Sequence, residues 1–199
     1  MAIVVARGRV GECRAAAAVN APAAVRAPAL PVPRPCQADP VPTRRSAGVL
    51  LHRRGDGGAV EVLVGHMGGP FWARKDAAGW SIPKGEAAEG EELLDVARRE
   101  FAEELGSPVP ATELLDLGEL RVTSGKLLTV WAAEGDLDAD ACVSNTFPLE
   151  WPPRSGRVQE FPEIDRAAWF TLDVAREKLV RGQVPFLDRL TERLADLRS

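Results

Sequence analysis

Four charged side chains lie close together in the middle of the sequence, at spacings that suit metal chemistry. Arg99 and Glu100 are followed by Glu103 and Glu104 within segment 85–106, which reads GEAAEGEELLDVARREFAEELG. On a helix, Glu100 and Glu104 lie one turn apart on a shared face, with Glu103 adjacent to it. Such crowded carboxylates repel each other unless a cation neutralises them, and hard oxygen ligands suit Mg²⁺ or Mn²⁺. A charged run on a helix is by itself more often a solvated face, but together with Arg99 and the flanking glycines the pattern favours a divalent metal site.

The elements that position this cluster can be inferred from the same segment. Apolar residues at helical period predict a helix from Glu91 to Leu105. The predicted stripe consists of Leu94, Ala97, Phe101 and Leu105. Gly106 comes next and supplies the left-handed residue that often ends a helix. A loop that begins at Gly85 leads into the helix, so the segment predicts a metal loop followed by a helix that carries the carboxylates.

Segment 85–106 resembles the Nudix box, the signature of hydrolases that cleave nucleoside diphosphates linked to another moiety. Every polar and glycine position of the family pattern is occupied, from Gly85 to Gly106. The one departure is Ser107, where the family usually has an apolar residue, and Val109 is a candidate for that role. An accidental match at seven specified positions is very improbable, since each is occupied by chance at roughly 6–7 %.

The resemblance implies a role for each functional position of the box. Glu100 and Glu104 are expected to be metal ligands, and Glu103 is expected to be a ligand or to lie directly behind the ligands. One of these carboxylates, often the one at the position of Glu100, is expected to act as the general base. Gly85 is expected to offer its backbone carbonyl to the metal. Arg99 is expected to hold the loop against the helix by pairing with a box glutamate; the alternative is an ordinary surface pair with Glu103.

Three residues outside the carboxylate cluster are further candidates. The family's metal site is often completed by a carboxylate from a later loop, and Glu163 and Glu160 are the candidates here. Glu163 is preferred because segment 163–175, EIDRAAWFTLDVA, resembles the Glu-then-Trp segment of the diadenosine tetraphosphate hydrolases. Lys84 lies in a Pro-Lys-Gly sequence that is more usual in members acting on diadenosine polyphosphates or diphosphoinositol polyphosphates. A lysine there can meet an extra phosphate as a mobile point charge. The alternative for Glu163 and Glu160 is that both merely solvate a loop. The alternative for Lys84 is an ordinary solvent-exposed lysine.

Loop residues of two kinds are candidates for substrate contacts. The cationic ones could clamp phosphates: Arg74, Lys75, Arg154 and Arg157. The aromatic ones could stack a nucleobase: Phe71, Trp72 and Trp151. Aromatic side chains are more often part of a core, so this second set competes with a purely structural role.

The amino-terminal stretch differs in composition from the remaining chain. Residues 1–45 hold seven arginines against Glu12 and Asp39, and seven of the sixteen prolines, so we predict a disordered extension. A transit peptide would also be Ser-rich, whereas this stretch has no serine, and an extension that is not native is a third possibility. The remaining residues carry a net charge of −9. Such an acidic body does not suit a non-specific nucleic-acid binder.

Length and cysteine content point to a cytoplasmic enzyme with one folded domain. The 199 residues suit one domain plus an appendage, and no apolar run is long enough to cross a bilayer. The three cysteines are odd in number and scattered, which indicates a reducing compartment and argues against both disulfides and a zinc site. His52 and His66 are too isolated to form a ligand set. The oligomeric state is not evident from these patterns.

The predicted elements form an α/β domain over residues 46–199. Predicted strands are Ala47–His52, Val60–His66, Trp80–Pro83, Leu117–Val122, Leu127–Ala133, Arg157–Phe161 and Arg166–Thr171. Helices are predicted over Asp173–Val180 and Val184–Leu197, and residues 136–153 are predicted to be irregular. Strands with few helices suggest a mixed sheet between helical layers. The Nudix resemblance implies that this is the family's α/β/α sandwich.

These patterns together predict a Mg²⁺-dependent hydrolase, with Mn²⁺ as an alternative ion, that breaks a phosphoanhydride bond by metal-activated water. The expected substrate is a dinucleoside polyphosphate or a related nucleotide. A nucleotide sugar, a diphosphoinositol phosphate or a non-standard nucleoside triphosphate is the alternative. A non-catalytic, nucleotide-sensing domain is the rival from a different class, although such domains usually have a damaged box.

Overall fold

The computed structural model describes residues 44–123 and 125–198 of the chain. The strands of this part are β1 Arg44–Arg54, β2 Val60–Met67, β3 Trp80–Ser81, β4 Lys84–Glu86, β5 Leu115–Thr123, β6 Lys126–Glu134, β7 Thr146–Glu150, β8 Val158–Pro162 and β9 Ile164–Thr171. The helices are α1 Leu93–Leu105, α2 Leu172–Lys178 and α3 Pro185–Asp196. A seven-stranded sheet and a two-stranded sheet, β7–β8, contain all these strands.

Strand β1 lies at the centre of the larger sheet. It pairs antiparallel with β2 near its end and antiparallel with β4 near its beginning. Its other edge pairs parallel with β6 from Arg44↔Lys126 to His52↔Glu134. Strand β5 extends the sheet beyond β6, while β3 and β9 pair with β2. The presence of both parallel and antiparallel pairs confirms the predicted mixed sheet.

Successive residues of β1 face two different cores, because side chains alternate across a strand. Val49 and Leu51 pack with Phe101 of α1 on one face of the sheet. Leu50 packs with Phe186 of α3 on the other face. The sheet therefore lies between α1 on one side and α2 and α3 on the other, which confirms the predicted α/β/α sandwich.

The box helix ends where expected but begins later and is rotated. It starts at Leu93 rather than Glu91, and Gly106 ends it with φ of 73°. Leu94, predicted to be part of the apolar stripe, is 36% exposed, and Val96 is buried instead. This prediction was wrong because α1 turns Glu100 and Glu104 partly toward the sheet, which moves Leu94 to the solvent side. Val109 packs against the core beneath α1, as proposed for the residue that compensates for Ser107.

Most predicted elements differ from the observed ones by one to three residues at an end, and three differences bear on the fold. Strand β1 begins at Arg44, two residues before the predicted start of the folded part, because Arg44 and Arg45 pair with the first residues of β6. The predicted strand over residues 80–83 is shortened to β3, and a separate strand, β4, follows Pro83, which cannot donate a backbone hydrogen bond. Strand β7 lies within the segment predicted to be irregular. The predicted disorder falls mainly on residues 1–43, which lie outside the described residues.

Among residues 44–123 and 125–198, no helix is both long enough and apolar enough to cross a membrane. In the same part of the chain, Cys142 is a free thiol. The other two cysteines precede the described residues.

Candidate metal-dependent active site

An open cavity of about 400 Å³ brings together the box, the start of β6, the loop after β2 and the loop before β9. Four carboxylates line it: Glu86, Glu100, Glu104 and Glu163. Two lysines and two aromatic residues also line it: Lys84, Lys126, Trp72 and Phe147. Acidic, basic and aromatic groups therefore share one open space, in which an anionic ligand with a planar ring could contact all three kinds.

Glu104 is held on the buried side of α1. Its carboxylate accepts a hydrogen bond from the backbone N–H of Lys84 at 3.0 Å, which fixes the helix against the strand that opens the box. Burial raises the pKa of Glu104 to about 7, opposed by the Lys84 charge and reinforced by Glu163 and Glu100. A carboxylate under such desolvation and repulsion is strongly favoured by a neighbouring cation.

Glu100 lies one turn earlier and is packed directly against Gly85. A Cβ added at Gly85 would lie 1.9 Å from the carboxyl carbon of Glu100, so Glu100 can keep this position only if residue 85 is a glycine. Burial is the main cause that raises the pKa of Glu100, while Arg99 opposes the shift and Glu103 and Glu163 add to it. Glu100 and Glu104 are therefore the two buried carboxylates of the box.

Arg99 connects three box glutamates on the outer side of α1. Its guanidinium donates to Glu100 at 2.7 Å, and it lies 3.6 Å from both Glu91 and Glu103. Glu91 in turn accepts a hydrogen bond at 2.7 Å from the backbone N–H of Ala88. This arrangement holds the metal loop against the helix, as the resemblance implies for Arg99. Glu103 is turned outward and does not line the cavity.

Glu163 approaches the cavity from the opposite side. Its backbone carbonyl accepts from the N–H of Gly68, and its own N–H donates to the carbonyl of Asn145. The N–H of Asn145 donates to the carbonyl of Glu103 near the end of α1, so these bonds tie the loop to the box helix. Glu160 lies on β8 opposite Pro148, outside the cavity lining.

The donor set fits a hard divalent cation, although the carboxylates are not gathered into a ready-made cage. No group of three or more His, Cys, Asp or Glu in the described residues is arranged as a metal site. Mg²⁺ is usually held by only one or two carboxylates and keeps several waters. Glu100 and Glu104 are sufficient for that mode of binding, and Gly85 and Glu163 line the same cavity.

Five cavity residues were missed by sequence reasoning: Met67, Gly68, Glu86, Lys126 and Phe147. Lys126 lies at the first position of β6, and its Nζ donates to Glu86 at 3.1 Å. That hydrogen bond is the largest cause that lowers the pKa of Glu86. Phe147 lies on β7, where the alternation of Phe147 and Leu149 was an available strand signal, interrupted by Pro148. No local signal marks Lys126, because it reaches the cavity through long-range pairing of β6 with β1.

Several predicted substrate residues lie outside the cavity lining. Arg74 is exposed, and Lys75 lies over the ring of Trp72, with its Nζ 4.5 Å from the ring centroid. Arg154 and Arg157 are exposed in the connection between β7 and β8. The rings of Phe71 and Trp151 meet edge to face at 5.3 Å, which joins this connection to the loop that carries Trp72.

Comparison with known families decides how this geometry is interpreted. Residues 42–190 match the family model described as the NUDIX domain. The chain belongs to the Nudix family. The match includes the whole box and the loops that carry Trp72 and Glu163, so the Nudix domain contains every residue that lines the cavity. Membership and the intact box together support pyrophosphohydrolase activity.

Solved structures share the Nudix fold with this chain. A C. elegans Ap4A hydrolase in a binary complex is 20% identical, with a TM-score of 0.54 over 76% of this chain and 98% of that chain. The NUDIX domain of Shewanella oneidensis NrtR, complexed with ADP ribose, is 20% identical, with a TM-score of 0.53 over 76% and 88%. A MutT protein from Methanosarcina mazei Go1 is 17% identical, with a TM-score of 0.51 over 78% and 98%. At these identities the likeness establishes the fold alone.

Proposed function

We propose that this Nudix domain hydrolyses a phosphoanhydride bond of a dinucleoside polyphosphate, with Mg²⁺ or Mn²⁺ held by Glu100, Glu104 and the Gly85 carbonyl. One observation carries the proposal: the two buried box carboxylates share a cavity with two lysines and two aromatic rings. Metal ligands alone would suit any family member. The added lysines and rings suit a substrate that has several phosphates and a nucleobase.

The bound cation would supply Lewis-acid chemistry, lowering the pKa of a water and neutralising charge on the phosphoryl oxygens. The chain's own residues orient the ligands. The Lys84 amide fixes the Glu104 carboxylate, and Arg99 fixes that of Glu100. Glu163 faces both of these carboxylates from its loop and is the best placed further ligand or proton acceptor.

Two lysines favour a substrate with phosphates beyond those that a metal would neutralise. Lys84 and Lys126 line the cavity from two different strands, so their charges are offered to the ligand from separate positions. Trp72 and Phe147 provide aromatic faces on the side formed by the loop and the small sheet. Arg74, Lys75, Arg154 and Arg157 remain predictions as phosphate-binding residues on the nearby loops. A likeness in fold to an Ap4A hydrolase is consistent with this substrate class.

A smaller pyrophosphate substrate is the first alternative. The NUDIX domain complexed with ADP ribose shares the fold, and ADP ribose has only two phosphates. A nucleotide sugar, a diphosphoinositol phosphate or a non-standard nucleoside triphosphate belongs to the same alternative. A nucleotide-sensing domain without catalysis is the second, and the intact, buried pair of Glu100 and Glu104 argues against it.

Product analysis with a substrate panel tests the proposal. Purified full-length protein with Mg²⁺ would be offered diadenosine tetraphosphate, ADP-ribose, nucleotide sugars, nucleoside triphosphates and diphosphoinositol phosphates. We expect the highest kcat/KM for diadenosine tetraphosphate. A preference for a diphosphate would overturn the substrate class but retain the hydrolase. Tight nucleotide binding with no turnover of any compound would reject the hydrolase and favour the sensor.

A further inference from the structure

A second cavity, larger than the hydrolytic one, lies at the other end of the sheet. Its volume is about 520 Å³, within the range typical of small-molecule sites. Strands β1 and β6 run in parallel. They begin at Arg44 and Lys126, near the hydrolytic cavity, and reach His52 and Glu134 at this second cavity. Eight residues of strand separate Arg44 from His52, about 26 Å at 3.3 Å per residue. A ligand here would not touch the hydrolytic site.

A histidine lies on the floor of this cavity, with its ring nitrogens accessible from the open space. His52 is only 6% exposed and lines the cavity. Within residues 44–123 and 125–198, no side chain or backbone group forms a hydrogen bond with its imidazole. The ring therefore offers an unused donor and an unused acceptor to whatever occupies the cavity.

The charges around His52 restrict the kind of ligand. Burial is the main cause that lowers the pKa of His52, so the ring is neutral at physiological pH and can accept as well as donate. Glu113 and Glu134 also line the cavity, and no Lys or Arg is among the described residues that do so. Anionic ligands such as nucleotides would be repelled here, whereas an ammonium or another N–H donor would be attracted.

Most of the remaining lining is apolar, and one wall is held in place by the box helix. Leucines and a proline form the walls: Pro110, Leu114, Leu115, Leu194 and Leu197. The wall at residues 110–112 is fixed by Arg98 of α1, whose guanidinium donates to the carbonyls of Ala111 at 3.3 Å and Thr112 at 2.7 Å. These bonds hold the wall independently of any ligand, so the cavity is preformed.

We propose that this cavity is a second binding site, for a small organic molecule with an apolar body and a protonated amine or other N–H donor. The leucine walls take the apolar body, and the free imidazole nitrogen of His52 accepts from the N–H group. Glu134 neutralises the positive charge. The site is independent of the hydrolytic cavity, so it does not depend on the proposed substrate.

Titration with matched one-ring probes tests this assignment. Benzylammonium, benzyl alcohol and phenylacetate share a benzyl group and differ in the charge and hydrogen-bonding capacity of the polar end, and benzoate is a second anionic probe. The chain has two histidines, so a spectrum of the imidazole ring carbons of the full-length protein contains two signals. His66 serves as the internal control, because it is fully buried and both its nitrogens lie 2.7 Å from oxygens of Asp165 and Lys75.

We expect benzylammonium to shift the His52 signal saturably while the His66 signal stays in place. Phenylacetate and benzoate should bind about tenfold more weakly or not at all, since one favourable charge-assisted contact is replaced by repulsion. Glu134→Gln should weaken benzylammonium and leave benzyl alcohol unchanged, and this change of an exposed side chain does not threaten folding. The proposal is overturned if His52 responds to none of the probes, if both histidines shift together, or if either anion binds as well as benzylammonium.

Discussion

Substituting Gly85 by alanine tests how the box holds its metal ligands. The added Cβ would lie 1.9 Å from the carboxyl carbon of Glu100 and 1.9 and 2.4 Å from its two oxygens. To reach an ordinary contact of 3.4 Å, the carboxylate must retreat by about 1.5 Å. The clash is with the flexible end of a side chain rather than with backbone, so Glu100 can rotate away without unfolding the domain.

We expect Gly85→Ala to lower activity strongly and to change stability little. A misplacement of about 1 Å at a catalytic centre can reduce the rate about 100-fold, which corresponds to about 2.7 kcal/mol of lost transition-state stabilisation. We therefore expect Gly85→Ala to lower kcat/KM about 100-fold. The thermal midpoint should fall by no more than a few degrees, because no buried apolar contact is removed.

Steady-state hydrolysis of the best substrate of the panel, measured beside thermal unfolding, provides the assay. Gly125→Ala is the matched control, since a Cβ there meets nothing within 4 Å and the residue has no positive φ. The control should keep wild-type kcat/KM. If Gly85→Ala stays within about threefold of wild type, the close packing of Gly85 on Glu100 is not what positions the ligand, and the reasoning fails.

Three further substitutions test other parts of the structure. Lys126→Met should lower kcat/KM for a polyphosphate by about 10- to 100-fold, because a charge-assisted contact with the substrate is lost. Loss of the partly exposed ion pair between Lys126 and Glu86 should lower the free energy of unfolding, measured with denaturant, by under about 1 kcal/mol. Burial lowers the pKa of His52, so the unfolded chain protonates first and stability falls as the pH drops below 6.5. Unfolding of His52→Asn measured across that range should show a smaller loss than wild type. Phe101→Ala, in the core beneath α1, should cost about 3–5 kcal/mol in the free energy of unfolding, measured by denaturant titration.

The parts of the site that depend on local sequence could be predicted. The helical period located α1, and Gly106 ends it in the left-handed conformation, because these signals act within a few residues. The same period places Glu100 and Glu104 on one face with Glu103 adjacent to it, but it could not show that this face is buried. Glu104 is buried while Glu103 is turned outward, and that difference depends on how α1 packs on the sheet.

The parts that depend on long-range pairing could not be predicted. Lys126 reaches the cavity because β6 pairs in parallel with β1, a contact between residues about eighty positions apart in the chain. Phe147 reaches it because β7 and β8 form a separate small sheet. The second cavity forms where β1, β6 and α3 meet at one end of the sheet. No local sequence pattern indicates that meeting, so His52 could not be predicted to line a cavity.

The most direct test of the central claim compares Glu104→Gln with Glu192→Gln, an exposed glutamate of α3, on the preferred substrate with Mg²⁺. The amide keeps the shape of Glu104 and can still accept from the Lys84 N–H, so folding should be preserved. We expect Glu104→Gln to lose at least about 100-fold in kcat/KM with no fall in the thermal midpoint, and Glu192→Gln to match wild type. Full activity of a folded Glu104→Gln variant would contradict hydrolysis at the box carboxylates.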